Sequence, residues 1–301
     1  MGNKMKSAAI LSAGSPGSIA VIKVLKECGY KVHGVDIDPR TPAKNLVDSF
    51  ELKSDLELRG IESLQGFDFV LSSTIEEFEL IERSGARHLQ PGAKVYESCR
   101  DKLATAGIAS MHGINHPVTS ASWPGNGYSG YVVKPRFGRG SKGLYISKKP
   151  VGAFSHFAES SEPMIIQDFI EGREFNVDGI AEDGNGISWF CHYSDLMRGG
   201  ITTKAETFEN KNINSLVKSI CEKFNLHGLF NIGGILDDGG KPWLIEINPR
   251  LSPGIVIGHL AGARPVSAWE SFIAKSPISS SDYKAKSGVV VSRYFEEAVI
   301  K

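Results

Sequence analysis

Strand and helix signals alternate through the first ninety residues, and few architectures tolerate that pattern. Residues 8–13 form a short apolar run, 18–28 carry apolar side chains at helical spacing, and 32–35 read as a second strand. A third strand is expected at 67–71, a helix at 76–83 and a short strand at 87–90. Strands separated by a helix are joined by crossovers rather than hairpins, so they run parallel and need cover on both faces. The pattern changes after Pro91-Gly92. A helix over 93–106 leads to the breakers Gly113 and Pro117, and strands at 131–134, 143–147 and 164–167 then surround a helix at 151–160. From Glu174 onward, longer strands at 175–181, 187–193, 229–236 and 243–248 enclose a helix at 212–224. The expected class is α/β followed by α+β, in units covering 1–92, 93–170 and 171–301, the last two placed to clasp something between them.

The chemistry concentrates where the last of these strands ends, in Pro242-Trp243-Leu244-Ile245-Glu246-Ile247-Asn248-Pro249-Arg250. Strict alternation turns Glu246 and Asn248 to one face and sends Ile245 and Ile247 into the core. Two hard oxygen donors beside a guanidinium are what a Mg2+-bound phosphate requires, whereas a mere capping role for Asn-Pro leaves that crowding unexplained. A second feature is Lys134, which ends an apolar strand and precedes Pro135-Arg136-Phe137-Gly138-Arg139-Gly140-Ser141-Lys142-Gly143. Three glycines let backbone N–H groups approach an anion closely, and Arg139 and Lys142 add charge. A flap over phosphates and a mobile basic hairpin account for this loop equally well; it is not a P-loop, because no Gly-Lys-Ser/Thr opens a helix here. The segment 165–175 joins the two α+β units, and such a linker can meet a purine edge while Glu174 accepts from ribose hydroxyls. Read alone, it is only a hinge.

Charge and cysteine usage narrow the partners. Lys plus Arg and Asp plus Glu both number 34, so the chain has no net field with which to hold a polyanion, and nucleic acid is not expected as a partner. Cys28, Cys99, Cys191 and Cys221 are far apart with no CxxC pair, which suits reduced, buried thiols in a cytoplasm and argues against zinc. No segment reaches the ~20 apolar residues a bilayer needs, and the run at 8–11 is too short for a signal-peptide core.

Four features now stand in order: Lys102 within Asp101-Lys102, Lys134 before the glycine-rich loop, the hinge at 167–174, and Glu246-Ile247-Asn248-Pro249-Arg250. In that order and spacing the chain resembles the ATP-grasp superfamily, most of all its carbamoyl-phosphate-synthase-like members, over nearly all 301 residues. The resemblance implies an ATP-grasp fold: a Rossmann-like pre-ATP-grasp domain over 1–92 bordering the acceptor-substrate site, a small lid subdomain over 93–170, and a large subdomain with the metal site over 171–301. It implies that Lys102 and Lys134 hold the nucleotide phosphates while Gly138, Gly140, Ser141 and Gly143 close over them. Asp168, Phe169 and Ile170 would read adenine and Glu174 the ribose. Glu246 and Asn248 would bind Mg2+, with Mn2+ as the substitute ion, and Arg250 with Lys134 would steady the transferring phosphoryl group. Arg198 or Lys204 would touch the acyl phosphate unless 198–204 is a solvated loop. The implied activity is ATP-dependent ligation of a small-molecule carboxylate to an amine through an acyl phosphate, in the cytoplasm, with a homodimer as the admitted assembly and no membrane partner. Phosphoryl transfer needs charge neutralisation and alignment more than covalent help, which agrees with this division of labour.

One departure is visible. Family members usually carry Gln or Glu twelve or thirteen residues before the Glu246 position, where this chain has Gly233 and Gly234. Asn231, Asp237, Asp238 or water would then complete the shell, since Mg2+ tolerates several waters. Three rivals stay open: bicarbonate activation to carboxyphosphate, a nucleotide-binding subunit without turnover, and a dehydrogenase using Gly14, Gly17 and Asp36 of the first sheet. The last has an incomplete glycine fingerprint and leaves the 246–250 cluster without a task; a tight turn with Ser18 near the helix start explains those glycines as well. His112 and His116 are separated by Gly113 and followed by Pro117, so no helix aligns them as metal ligands.

Overall fold

The computed structural model describes residues 5–53, 61–74, 77–125, 127–138, 140–198, 201–294, 296–297 and 299–300, and leaves aside the side chains at 61, 62, 93, 198 and 201. The first sheet holds β1 (Ser7–Leu11), β2 (Lys31–Asp36), β3 (Ser49–Leu52) and β4 (Phe69–Ser72), all parallel, in the order β3-β2-β1-β4. Between β1 and β2 runs α1 (Pro16–Glu27), which starts where Ser15 accepts from the Ser18 N–H and buries Val21, Ile22, Val24 and Leu25. The expected strand at 87–90 is a single parallel bridge from Val70 to His88, and α2 (Phe78–Ser84) lies where a helix is expected. β3 is an addition: at the sheet edge it is half-exposed and shows no apolar run to read.

The helix expected over 93–106 is two, α3 (Ala93–Arg100) and α4 (Lys102–Met111). Asp101 divides them, because its extended backbone and its carboxylate, which accepts from the Leu103 and Ala104 N–H groups, start a new helix. Both helices face the large sheet: Val95, Cys99 and Ala109 join a core with Phe175, Val177 and Phe230. A small antiparallel sheet follows, ordered β5-β8-β6-β7, from β5 (Thr119–Ser120), β6 (Tyr131–Pro135), β7 (Tyr145–Ser147) and β8 (Met164–Asp168). It is covered by α5 (Pro150–Glu159) over its own cluster of Tyr131, Val133, Ala153, Met164 and Ile166.

The large sheet is antiparallel, ordered β13-β12-β9-β10-β11-β14. Its strands are β9 (Arg173–Glu182), β10 (Asn185–Arg198), β11 (Ile201–Phe208), β12 (Gly228–Leu236), β13 (Pro242–Asn248) and β14 (Val290–Ser292). One face packs on α6 (Lys211–Lys223) through Ile213, Val217 and Ile220. On the other, α7 (Ile255–Leu260) and α8 (Pro265–Ile273) fill the space towards the first sheet. There Trp269, Phe69, Leu25, Ile180 and Phe190 form one continuous core, so the first and large sheets pack as a single body. The small sheet's core shares no buried residue with it. Cys99, Cys191 and Cys221 are buried as expected, but Cys28 caps α1 and is exposed. No helix among the described residues is long and apolar enough to cross a membrane.

Candidate active site

Strand alternation fails at one place on β13, and the failure shapes the site. Gly233 pairs with Glu246 but Gly234 pairs with Leu244, so Ile245 is an extra residue, a β-bulge. Leu244 and Ile247 therefore point into the core, while Ile245, Glu246 and Asn248 all line a cleft of about 370 Å³, a size that suits a small-molecule ligand. The sequence expectation that Ile245 is a core residue is corrected by this bulge. Asn248 Nδ2 donates to Glu246 Oε1 at 2.9 Å and to Asn231 Oδ1 at 3.4 Å, and Arg250 Nη2 donates to Asn248 Oδ1 at 3.3 Å. Carboxylate, amide and guanidinium are thus one hydrogen-bonded row, with Arg250 pinned by a further bond from Nη1 to the Leu251 carbonyl.

The opposite wall comes from the small sheet. Lys134, at 8 % exposure, sits near the end of β6 and lines the cleft; burial pushes its ammonium down to about 8, with the Glu246 charge opposing and Lys102 adding to that shift. Lys102 opens α4 and donates from Nζ to the Gly138 carbonyl at 3.0 Å, so it is tied to the flap, and burial lowers its value too. Asp101 holds the other root of the flap through the Arg136 guanidinium, with Nε to Oδ1 at 2.8 Å, and that pairing keeps its carboxyl below the usual range. The flap itself is exposed and turns on Gly138, Gly140 and Gly143 at φ of 132°, 67° and 71°, with Ser141 at 57°. Arg139 lies outside the described residues.

The hinge after β8 completes the cleft. Of the three residues expected to read a purine, Asp168 and Phe169 already commit their N–H groups to the Val118 and Gly130 carbonyls, and the Asp168 carboxylate accepts from Ser129. The Ile170 N–H has no partner among the described residues. Glu174, at the start of β9, is reachable from solvent yet recessed in the cleft, where desolvation and then the Glu246 charge raise its carboxyl.

A family model for the ATP-grasp domain matches residues 99–254, just over half of the chain and the stretch that carries every one of these groups. The chain belongs to the ATP-grasp family. It is 26 % identical over 184 residues to the arginine-specific large chain of carbamoyl phosphate synthase from Geobacillus stearothermophilus, a match covering 56 % of this chain and only 17 % of that protein. In fold it is similar to the L-amino acid ligase from Bacillus licheniformis, with a TM-score of 0.71 at 18 % identity, covering 94 % of this chain and 77 % of that one. It is likewise similar to the biotin carboxylase domain of a 2-oxoglutarate carboxylase from Hydrogenobacter thermophilus, solved with MgADP and bicarbonate, with a TM-score of 0.72 at 15 % identity over 96 % and 74 % of the two chains.

At the ATP-grasp position where a further acidic or amide ligand is expected, Gly233 faces the cleft. A Cβ there would lie 3.1 Å from Glu246 Cγ and 3.7 Å from Asn176 Oδ1, whereas one on Gly234 would strike the Phe175 ring in the core. Asp237 and Asp238 do not fill the gap, since Asp237 accepts from Trp243 Nε1 and the Lys241 N–H at the far turn of the β12–β13 hairpin. Two amides that the sequence did not single out as a pair do line the space: Asn231, which donates to the buried Asp178, and Asn176, whose Nδ2 is committed to Ser194 Oγ at 2.8 Å. No group of three or more His, Cys, Asp or Glu side chains clusters among the described residues. One carboxylate with several amide oxygens fits Mg2+, which keeps waters and shares substrate phosphates, and does not fit an all-protein cage.

The remaining candidates fall outside this row. Arg198 ends β10, and its side chain is not among those described; Lys204 lies on β11, exposed and away from the cleft. The segment 198–204 is thus a hairpin of the large sheet at its described ends rather than a loop. Asp36 is buried, accepting from the Gly14 N–H at 2.6 Å and the Asp38 N–H at 2.9 Å, and Thr41 Oγ1 occupies the space above Gly14. Asp36 and Thr41 thus already pack against Gly14 from within the chain. His116 binds Ser110 Oγ and the Pro117 carbonyl, as a loop histidine does.

Proposed function

We propose that this chain is an ATP- and Mg2+-dependent ligase that activates a carboxylate as an acyl phosphate and transfers the acyl group to an amine. The observation that carries the reading is the single cleft in which Lys102, Lys134 and the flap face Glu246, Asn248 and Arg250, with the 168–170 hinge at one end. Of the expected units 1–92, 93–170 and 171–301, the first would act as the acceptor side and the third as the metal-bearing base, while within 93–170 only the small sheet with α5 would act as the lid, since α3 and α4 pack on the base. In support of the acceptor side, a Cβ on Gly17 would come 3.1 Å from Pro253 Cγ, so the start of α1 borders the loop after Arg250. Ile170 N–H would meet the purine edge, Glu174 the ribose, and Lys102, Lys134 and the backbone at Gly138, Gly140, Ser141 and Gly143 the phosphates.

In the first step a carboxylate oxygen attacks the γ-phosphorus and the bond to the ADP oxygen breaks; Lys134 and Arg250 hold the developing charge in line. Glu246 and Asn248, joined by Asn231 and Asn176, would hold Mg2+ or Mn2+, which neutralises phosphate charge when bound. In the second step the amine nitrogen attacks the acyl carbon, the carbon–oxygen bond to phosphate breaks, and the nitrogen releases its proton. Flap closure keeps water from the acyl phosphate. Arg198 remains a proposed contact to that group, and the buried thiols Cys99, Cys191 and Cys221 support a cytoplasmic setting. The chain spans about a sixth of the carbamoyl phosphate synthase chain it matches, so a bicarbonate arm belongs in the test. ADP release is measured with pairs of carboxylates and amines and with bicarbonate alone. Release that requires a pair is the expected result; release with bicarbonate alone points to carboxyphosphate, and none with any mixture contradicts the ligase reading.

A further inference from the structure

Arg293 lines the cleft and, like the exposed Lys142 of the flap, has no role in the reaction above; unlike Lys142 it is anchored from both sides. It follows β14 and reaches back to the loop after Arg250, donating from Nε to the Thr202 carbonyl at 2.9 Å and from Nη2 to the Pro253 carbonyl at 2.6 Å. These anchors come from two different elements, so the guanidinium plane is fixed. A guanidinium has five N–H donors, and two are committed here, which leaves the Nη1–Nη2 edge able to take a planar anion side by side. No carboxylate pairs with it among the described residues. The buried Asp178 acts on it only at longer range and is itself occupied by His192 Nε2 and Asn231 Nδ2, each at 3.2 Å. Burial consequently pushes Arg293 below the ordinary guanidinium value. A cation partly withdrawn from water, held by two carbonyls but by no anion, is costly, and such an arrangement persists where a ligand brings the anion.

The anchors also say which anion. Lys134 and the flap would serve the nucleotide from the small sheet and Lys102 from the start of α4, while Arg293 is bonded three residues past Arg250, on the side where Gly17 of the first unit meets Pro253. The carboxylate to be activated must lie in line with the transferring phosphoryl group; a carboxylate that survives the reaction needs a cation of its own. We propose that Arg293 binds the carboxylate that the amine substrate retains, which makes that substrate an amino acid, with the standard α-amino acids as the class to test first. The inference rests on the ligase reading for the amine's role, and its test separates the two.

The twenty standard α-amino acids and their carboxamides are titrated into protein saturated with Mg2+ and a non-hydrolysable ATP analogue, with binding followed by calorimetry. The expected result is that at least one acid binds and its amide binds roughly tenfold or more weakly. Arg293→Gln and Arg293→Lys should bring that ratio close to one while still binding the analogue. The proposal is overturned if no amino acid binds, if acid and amide bind alike, or if the folded variants keep the wild-type ratio. Should both variants fail to fold, the acid-against-amide comparison in the wild type decides alone. ADP release from the same mixtures is read separately: carboxylate-dependent binding without release sinks the ligase reading and leaves the Arg293 site standing.

Discussion

Lys134 holds its charge where charge is expensive, and that single conflict yields two expectations. Its value of about 8 in the folded chain lies below the ~10.4 of an exposed lysine, so between those pH values the unfolded chain binds more protons than the folded one. Stability therefore rises with pH through that window, because the burial penalty is present in full below pH 8 and is relieved as the ammonium loses its proton. Phosphate wants the charged form. Affinity for a non-hydrolysable ATP analogue should accordingly fall above pH 8, with proton uptake on binding; Lys134→Met should bind at least tenfold more weakly at pH 7 and lose the slope. A variant that keeps the wild-type pH profile would place the titration elsewhere. Glu246→Gln removes the only carboxylate in the row with Asn248 and Arg250, and Mg2+-dependent ADP release should disappear while the melting temperature stays close to wild type. Retained turnover in that variant would remove Glu246 from the metal site.

At the scale of elements, Asp101 is the hinge between two helices and the root of the flap at once. Asp101→Ala removes the cap of α4 and should cost about 1 kcal/mol in a denaturant titration, and nucleotide affinity should fall with it because Lys102 opens that helix. Loss of stability with unchanged affinity would detach the cap from the site. The helix break at Asp101 was not legible because 93–106 is helical in character on both sides, and a capping aspartate inside a helical pattern looks like any surface carboxylate. The bulge at Ile245 was hidden for a related reason: alternation predicts faces only while the register holds, and the slip arises from pairing with Gly233 and Gly234 on another strand. Glu246, Asn248 and Arg250 were readable since the clustering of unlike polar groups on an apolar strand has no packing explanation. Arg293 was not, because its meaning lies in two carbonyls, those of Thr202 and Pro253, that are distant in sequence. The parallel order of β1, β2 and β4 followed from βαβ spacing, whereas the short edge strand β3 carried no apolar signal.

For the whole molecule, the division of cores is the informative fact. The first and large sheets share one continuous core through Trp269, Phe69 and Ile180, while the small sheet keeps its own around Tyr131, Val133 and Ile166. A rigid base and a separately packed lid can change their angle without breaking either core. Binding of the ATP analogue with Mg2+ should then protect the exposed flap at 140–144 from limited proteolysis and leave cleavage elsewhere unchanged; equal cleavage with and without ligand would argue that the lid does not close. The most direct test of the account is the calorimetric titration of a non-hydrolysable ATP analogue with and without Mg2+, alongside NAD. The account predicts Mg2+-dependent, single-site binding of the ATP analogue and no heat from NAD. Binding of NAD with none of the ATP analogue would contradict it and return attention to Gly14, Gly17 and Asp36.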